Sequence, residues 1–437
     1  MLCLPAPETI VKDASRAVKR VAGLQIQPVN VDILSELLDL PGLGVQQFAL
    51  EQLGNEKALH LFCEHTHTFA ICPRCQLVTR HLYDVKARCV RHLDILEMRT
   101  LVHFPQRRFE CEHCGKPFTE NLAWLRPKRR QTSAFENYIY QRMRHKTPCK
   151  QVAQEEGLSE STVRDIFKHR AQQVQRQQRR PAQVRVLGVD EISVRKGHKQ
   201  YALVISDLER RQVIAVLPNR RKETLRTWLQ QLSPAARHAI KLVSMDMWRP
   251  YWSAVRELLP HAKIVADRFH MMKQLNHQID LVRRAMQRQA QKTGDTALYQ
   301  VLKGSRWVLL KDRADLTSEQ RTQLQEILAL SVELRQIYRL REEFRHICDK
   351  ITDRARAERF LRAWALKAER TGNRHMLKFV KTLRNWWEEF LNYFIERTTQ
   401  GFVEGINRAI RGIINRAFGY RNFDNFRLQV LIECGGT

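Results

Sequence analysis

Three acidic residues that lie far apart in the chain have the surroundings of metal-binding carboxylates. Asp190 follows the apolar run 184–189 and Asp246 follows the run 240–245, so each of two predicted β-strands ends on a carboxylate. In the predicted order β-β-β-α-β-α-β the first and fourth strands lie side by side, which brings the two carboxylates together. Carboxylate oxygens are ligands for hard cations, so this pair predicts a site for Mg²⁺ or Mn²⁺.

A third ligand is expected from a late helix that begins near Gly401. One stripe of this helix is apolar and comprises Phe402, Ile406, Ile410 and Ile413. The other stripe combines Glu404 with groups suited to the phosphates of a nucleic-acid backbone, namely Asn407, Arg408, Arg411 and Asn415. The alternative is a solvated helix face without a ligand. Asp267, at the end of the fifth predicted strand, is a competing third carboxylate, and we prefer Glu404.

Four of the ten cysteines form two pairs with the spacing of zinc ligands, Cys72 with Cys75 and Cys111 with Cys114. Two residues between cysteines let both thiolates converge on one ion, and two such turns complete a closed, structural tetrahedral site. The alternative is a set of free cysteines buried in a core. Five other side chains could substitute as ligands: Cys63, His65, His67, Cys89 and His113.

Residues 129–170 predict three short helices, of which the last two form a helix-turn-helix. Ala153 permits close helix approach, Gly157 supplies the positive φ of the turn, and Val163 buries the second helix. That helix would present five polar residues to a DNA groove: Glu160, Ser161, Thr162, Arg164 and Lys168. Arg129 and Arg130 lie in a basic stretch that suits phosphate contact. The alternative is a purely structural hairpin.

The elements that must position these residues fall into successive regions. A Gln- and Arg-rich stretch, 172–180, ends at Pro181 and marks the main boundary between a DNA-binding half and an α/β half. The predicted regions are an N-terminal segment without an assigned role (1–60), a β-rich zinc-binding module (61–125), a helix-turn-helix with linker (129–180), an α/β core (181–282), an all-helical insertion (283–398) and the returning core (399–437).

Composition points to a polyanionic partner. The chain has 437 residues, a net charge of +29 and a pI near 10.1, and basic residues that neutralise phosphates release condensed counterions. Attraction to a membrane surface is the alternative, but the charge is spread along the chain rather than clustered. There is no long apolar run and no signal peptide, so we expect a cytoplasmic protein without membrane contact and with reduced cysteines.

In combination, these motifs resemble the ISL-three family of bacterial insertion-sequence transposases from about residue 40 to the C-terminus. The resemblance rests on the two cysteine pairs and on five further segments: 188–193, 245–251, 266–272, 402–408 and 418–423. Residues 1 to about 30 match no family feature.

The resemblance implies a multidomain α/β protein with a zinc ribbon, a helix-turn-helix and an RNase H-like catalytic domain of the DDE type, interrupted by an all-α insertion. It implies Asp190, Asp246 and Glu404 as the catalytic carboxylates, with Asp267 and His270 as supporting groups. Cofactors would be Mg²⁺ or Mn²⁺ and a structural Zn²⁺. The partners would be terminal inverted repeats, target DNA and further copies of the chain in a dimer or larger assembly, in the bacterial cytoplasm near the nucleoid.

Two other functions remain compatible with the sequence. The first is a DNA-binding regulator whose RNase H-like domain has lost activity, against which the three intact carboxylates argue. The second is a nuclease or resolvase that hydrolyses DNA without strand transfer.

Overall fold

The computed structural model of the chain describes residues 26–28, 35–36, 38–54, 56–177, 183–195, 200–266, 268–395 and 401–436. Two compact units are present, Met1–Gln175 and Arg176–Thr437, and the division falls inside the linker that composition predicts. Two residues used in the sequence predictions, Pro181 and Asp267, are outside the described residues.

A sheet of six strands forms the first part of unit one. Its strands are β1 (Ile26–Pro28), β2 (Leu43–Leu53), β3 (Glu56–His65), β6 (Leu82–Arg91), β7 (Arg99–Glu110) and β8 (Pro117–Thr119), and a separate hairpin contains β4 (Ala70–Ile71) and β5 (Val78–Thr79). The order is β1-β2-β3-β7-β6, with β8 on β7. Strand β3 crosses residue 60, so the sheet begins before the predicted start of the zinc module.

Three helices complete unit one, as residues 129–170 predict. They are α1 (Ser133–Arg144), α2 (Cys149–Glu155) and α3 (Glu160–Gln177). The turn between α2 and α3 has Gly157 at φ +63°, a conformation that costs glycine little. Val152, Ala153, Val163 and Ile166 are buried, so the two helices pack through the apolar positions that the sequence indicates.

Unit two is built on a five-stranded mixed sheet. Its strands are β9 (Val186–Arg195), β10 (Gln200–Asp207), β11 (Gln212–Leu217), β12 (Leu242–Met245) and β13 (Lys263–Ala266), in the order β11-β10-β9-β12-β13. The first three are antiparallel, whereas β12 runs parallel to both β9 and β13. The prediction that the first and fourth strands of this half are neighbours is therefore confirmed.

Helices cover both faces of this sheet. Between strands lie α4 (Lys222–Gln230), α5 (Pro234–Ala239) and α6 (Arg249–Leu258). At the end of the chain, α15 (Gly401–Arg416) and α16 (Phe423–Cys434) pack on the opposite face, where Ile406, Ile410 and Ile413 join side chains of β9, β10 and β11. This confirms three members of the apolar stripe, whereas the side chain of Phe402 lies outside the described ones.

Residues 268–395 contain helices and no described strand. The α-helices are α7 (Arg268–Thr293), α8 (Thr296–Leu302), α9 (Arg306–Leu310), α10 (Ser318–Leu330), α11 (Val332–Lys350), α12 (Arg354–Arg370), α13 (Arg374–Asn385) and α14 (Trp387–Leu391). Helix α7 crosses residue 282, so the predicted border of the insertion falls within one continuous helix. Asn392 donates its amide N–H to the Ile264 carbonyl at 2.9 Å, so this segment occupies a hydrogen-bonding position along the edge strand β13.

Candidate active site and metal centres

Asp190 lies within strand β9 and not at its end, which corrects the sequence prediction. The parallel pairing of β9 with β12 ends at Val189 and Met245, but antiparallel pairing with β10 continues β9 to Arg195. Polar residues after position 189 do not terminate the strand, because β10 still supplies backbone partners there. Asp190 therefore sits where β9 loses its parallel neighbour, a natural opening in the sheet.

Asp246 follows the last residue of β12, as predicted, and is the next residue after the pair Val189–Met245. Val189 and Met245 are opposite each other in the parallel register, so the residues that follow them, Asp190 and Asp246, occupy corresponding positions on neighbouring strands. The Met247 backbone N–H donates to Asp246 Oδ1 at 2.6 Å, and Nδ1 of His270 lies 3.8 Å from the same oxygen. His270 is therefore beside Asp246, where a supporting group was expected.

Helix α15 reaches the acidic site through Asn407. Its Nδ2 donates to Asp190 Oδ2 at 2.5 Å, while its Oδ1 is buried without a hydrogen-bond partner. Glu404 lies three residues earlier, on the same side of the helix, but its side chain is 58% exposed and 3.6 Å from Arg408. Asn407, which is predicted to bind DNA, thus contacts a predicted metal ligand in this structure, and its role toward DNA stays a prediction.

The three predicted carboxylates do not form a tight cluster in this structure. Within the described part of the chain, the group of three or more potential ligands that lies within 4.8 Å is the set of four cysteines. Asp190 and Asp246 share a register position, whereas Glu404 stays at the surface of α15. Its assignment as third ligand therefore remains a prediction.

The residues around Asp190 nevertheless fit a hard divalent cation. Two carboxylates lie at neighbouring strand positions, and a buried amide oxygen, Oδ1 of Asn407, has no partner. A buried carbonyl oxygen without a hydrogen bond costs free energy, and a hard cation accepts such an oxygen as a ligand. The donor set of carboxylate and amide oxygens matches Mg²⁺ or Mn²⁺.

A second carboxylate of β9, Glu191, anchors a partly buried network that the sequence pattern did not indicate. Successive side chains of a strand point to opposite faces, so Glu191 faces α6 whereas Asp190 faces α15. The hydroxyl of fully buried Tyr251 donates to Glu191 Oε1 at 2.8 Å, and Arg220 lies 3.2 Å from Oε2. Burial, with the neighbouring carboxylate, raises the pKa of Tyr251, so its hydroxyl stays a proton donor.

Replacing Tyr251 by Phe tests this network. Tyr251→Phe leaves the partly buried Glu191 with one hydrogen-bond partner fewer, and we expect a loss of about 1–2 kcal/mol in the free energy of unfolding of unit two. The measurement is thermal or urea unfolding of the variant beside the parent protein. Unchanged stability would show that water replaces the phenol without cost, so that the hydroxyl is dispensable.

The four cysteines predicted to bind zinc come together in the structure. Each pair lies in a tight turn, Cys72 and Cys75 between β4 and β5, and Cys111 and Cys114 between β7 and β8. All four sulfur atoms lie within 4.8 Å of one another, and Cys75 Sγ is 3.5 Å from Cys111 Sγ. Tetrahedral zinc with Zn–S bonds of about 2.3 Å has ligand sulfurs roughly 3.8 Å apart, so the site fits the ion.

The two turns have the same backbone geometry. The N–H of Gln76 donates to the Cys72 carbonyl at 2.9 Å, and the N–H of Gly115 donates to the Cys111 carbonyl at 2.8 Å. Both donors have φ +61°, the left-handed conformation that closes each turn. Two independent turns thus present their thiols in equivalent orientations, as expected for a shared ion.

Two thiols of the four cysteines differ widely in pKa. The backbone N–H of Cys75 chiefly lowers the pKa of Cys72 to about 6, whereas hydrogen bonding to Cys75 chiefly raises the pKa of Cys114 to about 12. Neighbouring sulfurs cannot all carry negative charge unless a cation offsets their repulsion. Zinc would supply that charge and hold all four as thiolates.

The other candidate ligands lie elsewhere in unit one. Cys63 is buried in the core of the six-stranded sheet, where burial raises the pKa of its thiol to about 12. His65 approaches Glu120 at 3.2 Å, and Cys89 lies 3.7 Å from His103. None of the five substitutes, including His67 and His113, belongs to the cysteine cluster.

The helix-turn-helix exposes part of its predicted DNA-binding surface. The Ser159 hydroxyl accepts from the Thr162 N–H at 3.2 Å and so caps α3. Ser161 and Lys168 are exposed. Two of the predicted DNA-binding arginines are paired within the protein: Arg164, expected in the groove, bonds Glu160 one turn earlier, and Arg129, expected at a phosphate, bonds Asp165 on α3. The Arg130 carbonyl accepts from the Arg91 N–H at 2.8 Å, and its side chain remains a candidate.

Comparison with known proteins identifies the family. Residues 187–430, more than half of the chain, match a family described as "Transposase". Residues 120–171 match the "Helix-turn-helix domain of transposase family ISL3", and residues 68–114 match the "zinc-finger of transposase IS204/IS1001/IS1096/IS1165". The chain belongs to the ISL3 family of transposases. This ISL3 transposase therefore contains the zinc-ribbon, helix-turn-helix and DDE domains that its sequence predicts, in that order along the chain.

Two bacterial relatives agree with this assignment. The transposase for insertion sequence element IS1001 of Bordetella parapertussis is 32% identical over 384 residues, which cover 87% of this chain and 93% of the relative. The transposase for IS1557 of Mycobacterium tuberculosis is 26% identical over 262 residues, which cover 55% and 58%. In the described part of this transposase, no helix has the length and apolar character required to cross a bilayer.

The substitution Lys168→Ala tests whether α3 of the transposase contacts DNA. Lys168→Ala should weaken DNA binding about 3- to 10-fold and reduce the slope of log affinity against log salt by about 0.9, because one phosphate contact is lost. The measurement is a salt titration of binding to an end fragment. Lys57→Ala, the same charge change at an exposed position of β3, is the control and should leave the slope nearly unchanged. Equal effects of both variants would contradict a specific contact.

Proposed function

We propose that this transposase binds the terminal inverted repeats of an insertion sequence and catalyses metal-dependent cleavage and strand transfer of DNA. The zinc ribbon and helix-turn-helix would recognise the ends, and basic side chains would hold the flanking DNA through phosphates. We place the protein in the bacterial cytoplasm, at the nucleoid where its DNA lies. We propose a dimer or larger assembly, because two ends of the element must be brought together before they can be joined.

We further propose that the sheet of unit two is an RNase H-like catalytic core and that residues 283–398 are an all-α insertion. The observation that carries the proposal is the shared register position of Asp190 and Asp246, next to a helix whose Asn407 bonds Asp190. Glu404, one turn before Asn407, would complete the carboxylate set. Asp267, which is outside the described residues, stays the alternative third carboxylate.

When bound, Mg²⁺ or Mn²⁺ would activate water, and later a DNA 3′-hydroxyl, for attack on phosphorus while stabilising the departing oxygen. The residues of the chain prepare the site for this chemistry. Asn407 holds the orientation of Asp190, the Met247 N–H fixes Asp246, and His270 stands beside Asp246. The network of Glu191, Tyr251 and Arg220 keeps β9 and α6 in place on the other face.

A strand-transfer assay tests this function against its alternatives. End fragments from the DNA that flanks the gene are incubated with the transposase, Mg²⁺ and a supercoiled target plasmid. Joined products support the proposal, whereas cleavage without joining would identify a nuclease or resolvase. If the protein binds the end fragments but neither cleaves nor joins them at saturating metal, the result would identify a DNA-binding regulator.

A further inference from the structure

Trp248 is an exposed tryptophan placed next to the proposed catalytic carboxylates. Its side chain is 47% exposed, and of the eight tryptophans in the chain only Trp248 and Trp307 belong to the exposed large hydrophobic residues. Arg306 stacks over Trp307, whereas the Trp248 ring has no described hydrogen bond, ring contact or cation partner. Single exposed rings are common on protein surfaces, so what distinguishes Trp248 is its place two residues after Asp246, where its flat indole face is open to a partner.

The backbone holds Trp248 firmly at this place. Its N–H donates to the Asp246 carbonyl at 2.7 Å, and its own carbonyl accepts from the N–H groups of Tyr251 at 3.1 Å and Trp252 at 3.2 Å. Helix α6 therefore begins at a fixed position beside Asp246. The exposure of the indole is consequently a property of a rigid segment and not of a loose loop.

A second exposed aromatic ring lies near the same carboxylate. Phe269, in the first turn of α7, is 50% exposed, and its ring centroid is 5.7 Å from that of His270. His270 in turn lies 3.8 Å from Asp246 Oδ1. Two residues of chain span at most roughly 7 Å, so Trp248 is within the reach of one or two nucleotides from a phosphate held at Asp246.

We propose that Trp248 stacks on an unpaired base adjacent to the scissile phosphate, with Phe269 as a second contact surface. The inference rests on the proposed function, because it requires a DNA phosphate at Asp190 and Asp246. Every base has a flat π-face, so stacking on tryptophan stabilises an unpaired nucleotide without sequence preference. The positive charge of the protein attracts the backbone, and the ring then supplies the apolar contact that charge alone lacks.

Such stacking would help the reaction by separating the strands at the cleavage site. A base inside a duplex must leave its partner and its stack before it can lie on the Trp248 ring, and opening one pair costs free energy. Stacking on Trp248 would offset that cost at the moment of cleavage. A substrate whose base is already unpaired should therefore need Trp248 much less.

The test compares cleavage of two end fragments under single-turnover, saturating conditions. One fragment is fully paired, and the other has a mismatch at the nucleotide next to the cleavage site. We expect Trp248→Ala to cleave the paired fragment about 10- to 100-fold more slowly than the parent protein and to recover most of that loss on the mismatched one. Trp248→Phe should retain most activity, and Phe269→Ala should show a smaller effect of the same kind.

Trp307→Ala, which removes the other exposed tryptophan, is the matched control and should cleave both fragments at the parental rate. Parental rates for Trp248→Ala on both fragments would overturn the inference, as would an equal loss on both without rescue. An equal loss together with a changed oligomeric state, measured by sedimentation, would instead identify Trp248 as a contact between copies. If the parent protein cleaves neither fragment, the proposed function itself fails.

Discussion

Asp246→Asn is expected to reduce DNA cleavage by at least about 10³-fold while end binding stays within about twofold of the parent protein. Asparagine keeps the shape of the side chain, and its oxygen can still accept the Met247 N–H that Asp246 Oδ1 accepts at 2.6 Å. The fold should therefore be preserved. What is lost is the negative charge that would hold a divalent cation, on which the chemical step depends. Single-turnover cleavage and a binding titration are the two measurements.

The matched control for this variant is Asp315→Asn, the same substitution at an exposed carboxylate between α9 and α10. It should leave both cleavage and binding at parental values. Binding that fell in parallel with cleavage in Asp246→Asn would mean that the residue contributes to structure or DNA affinity. Cleavage that survived the substitution would remove Asp246 from the catalytic set.

The sequence predicted the secondary structure of unit two well, because apolar runs identify buried strands directly. It did not predict that β9 continues beyond Val189. There the pattern changes from a continuous run of apolar residues to an alternation of polar and apolar ones. Ile192 and Val194 share a face with Asp190, and they pack against or near the helices at the end of the chain. This period of two was present in the sequence and could have indicated both the longer strand and the face of Asp190.

The contacts of the site were less accessible to sequence analysis than its acidic residues. Tyr251 and Glu191 meet across 60 positions of sequence, and Asn407 and Asp190 meet across 217. Such pairs depend on strand register and helix placement, which periodicity does not specify. The two cysteine pairs were predictable for the opposite reason, because a spacing of two residues within one turn already determines the local geometry.

For Glu404 the sequence predicted the face of the helix but not the distance to the other two carboxylates. Helical periodicity placed it correctly on the polar side of α15, with Asn407 one turn later. Its carboxylate nevertheless lies beside Arg408 and outside any described cluster of ligands. Cations and DNA phosphates would change the electrostatic balance between this carboxylate and the arginine. Whether Glu404 joins Asp190 and Asp246 therefore depends on the cation and on DNA, and its role as third ligand stays a prediction.

The second large effect is expected for Cys111→Ser, which should remove zinc from the transposase and weaken end binding by at least about tenfold. Cys111 is buried, and its sulfur is 3.5 Å from that of Cys75, so a serine hydroxyl would leave the ion with three thiolates and a poor fourth ligand. Zinc binding supplies much of the folding free energy of such small centres. The apolar cluster around it is small and contains, besides the cysteines, the buried Ala70, Phe109 and Phe118 and the partly buried Leu82.

Metal analysis and a binding titration measure this prediction, and Cys89→Ser is its control. Cys89 is an exposed cysteine of the same unit that lies outside the cluster, so this variant should keep one zinc per chain and parental end binding. A fully zinc-loaded Cys111→Ser protein would contradict the four-thiolate centre. Zinc loss without weaker end binding would instead separate the centre from DNA recognition, because the helix-turn-helix would then hold the ends by itself.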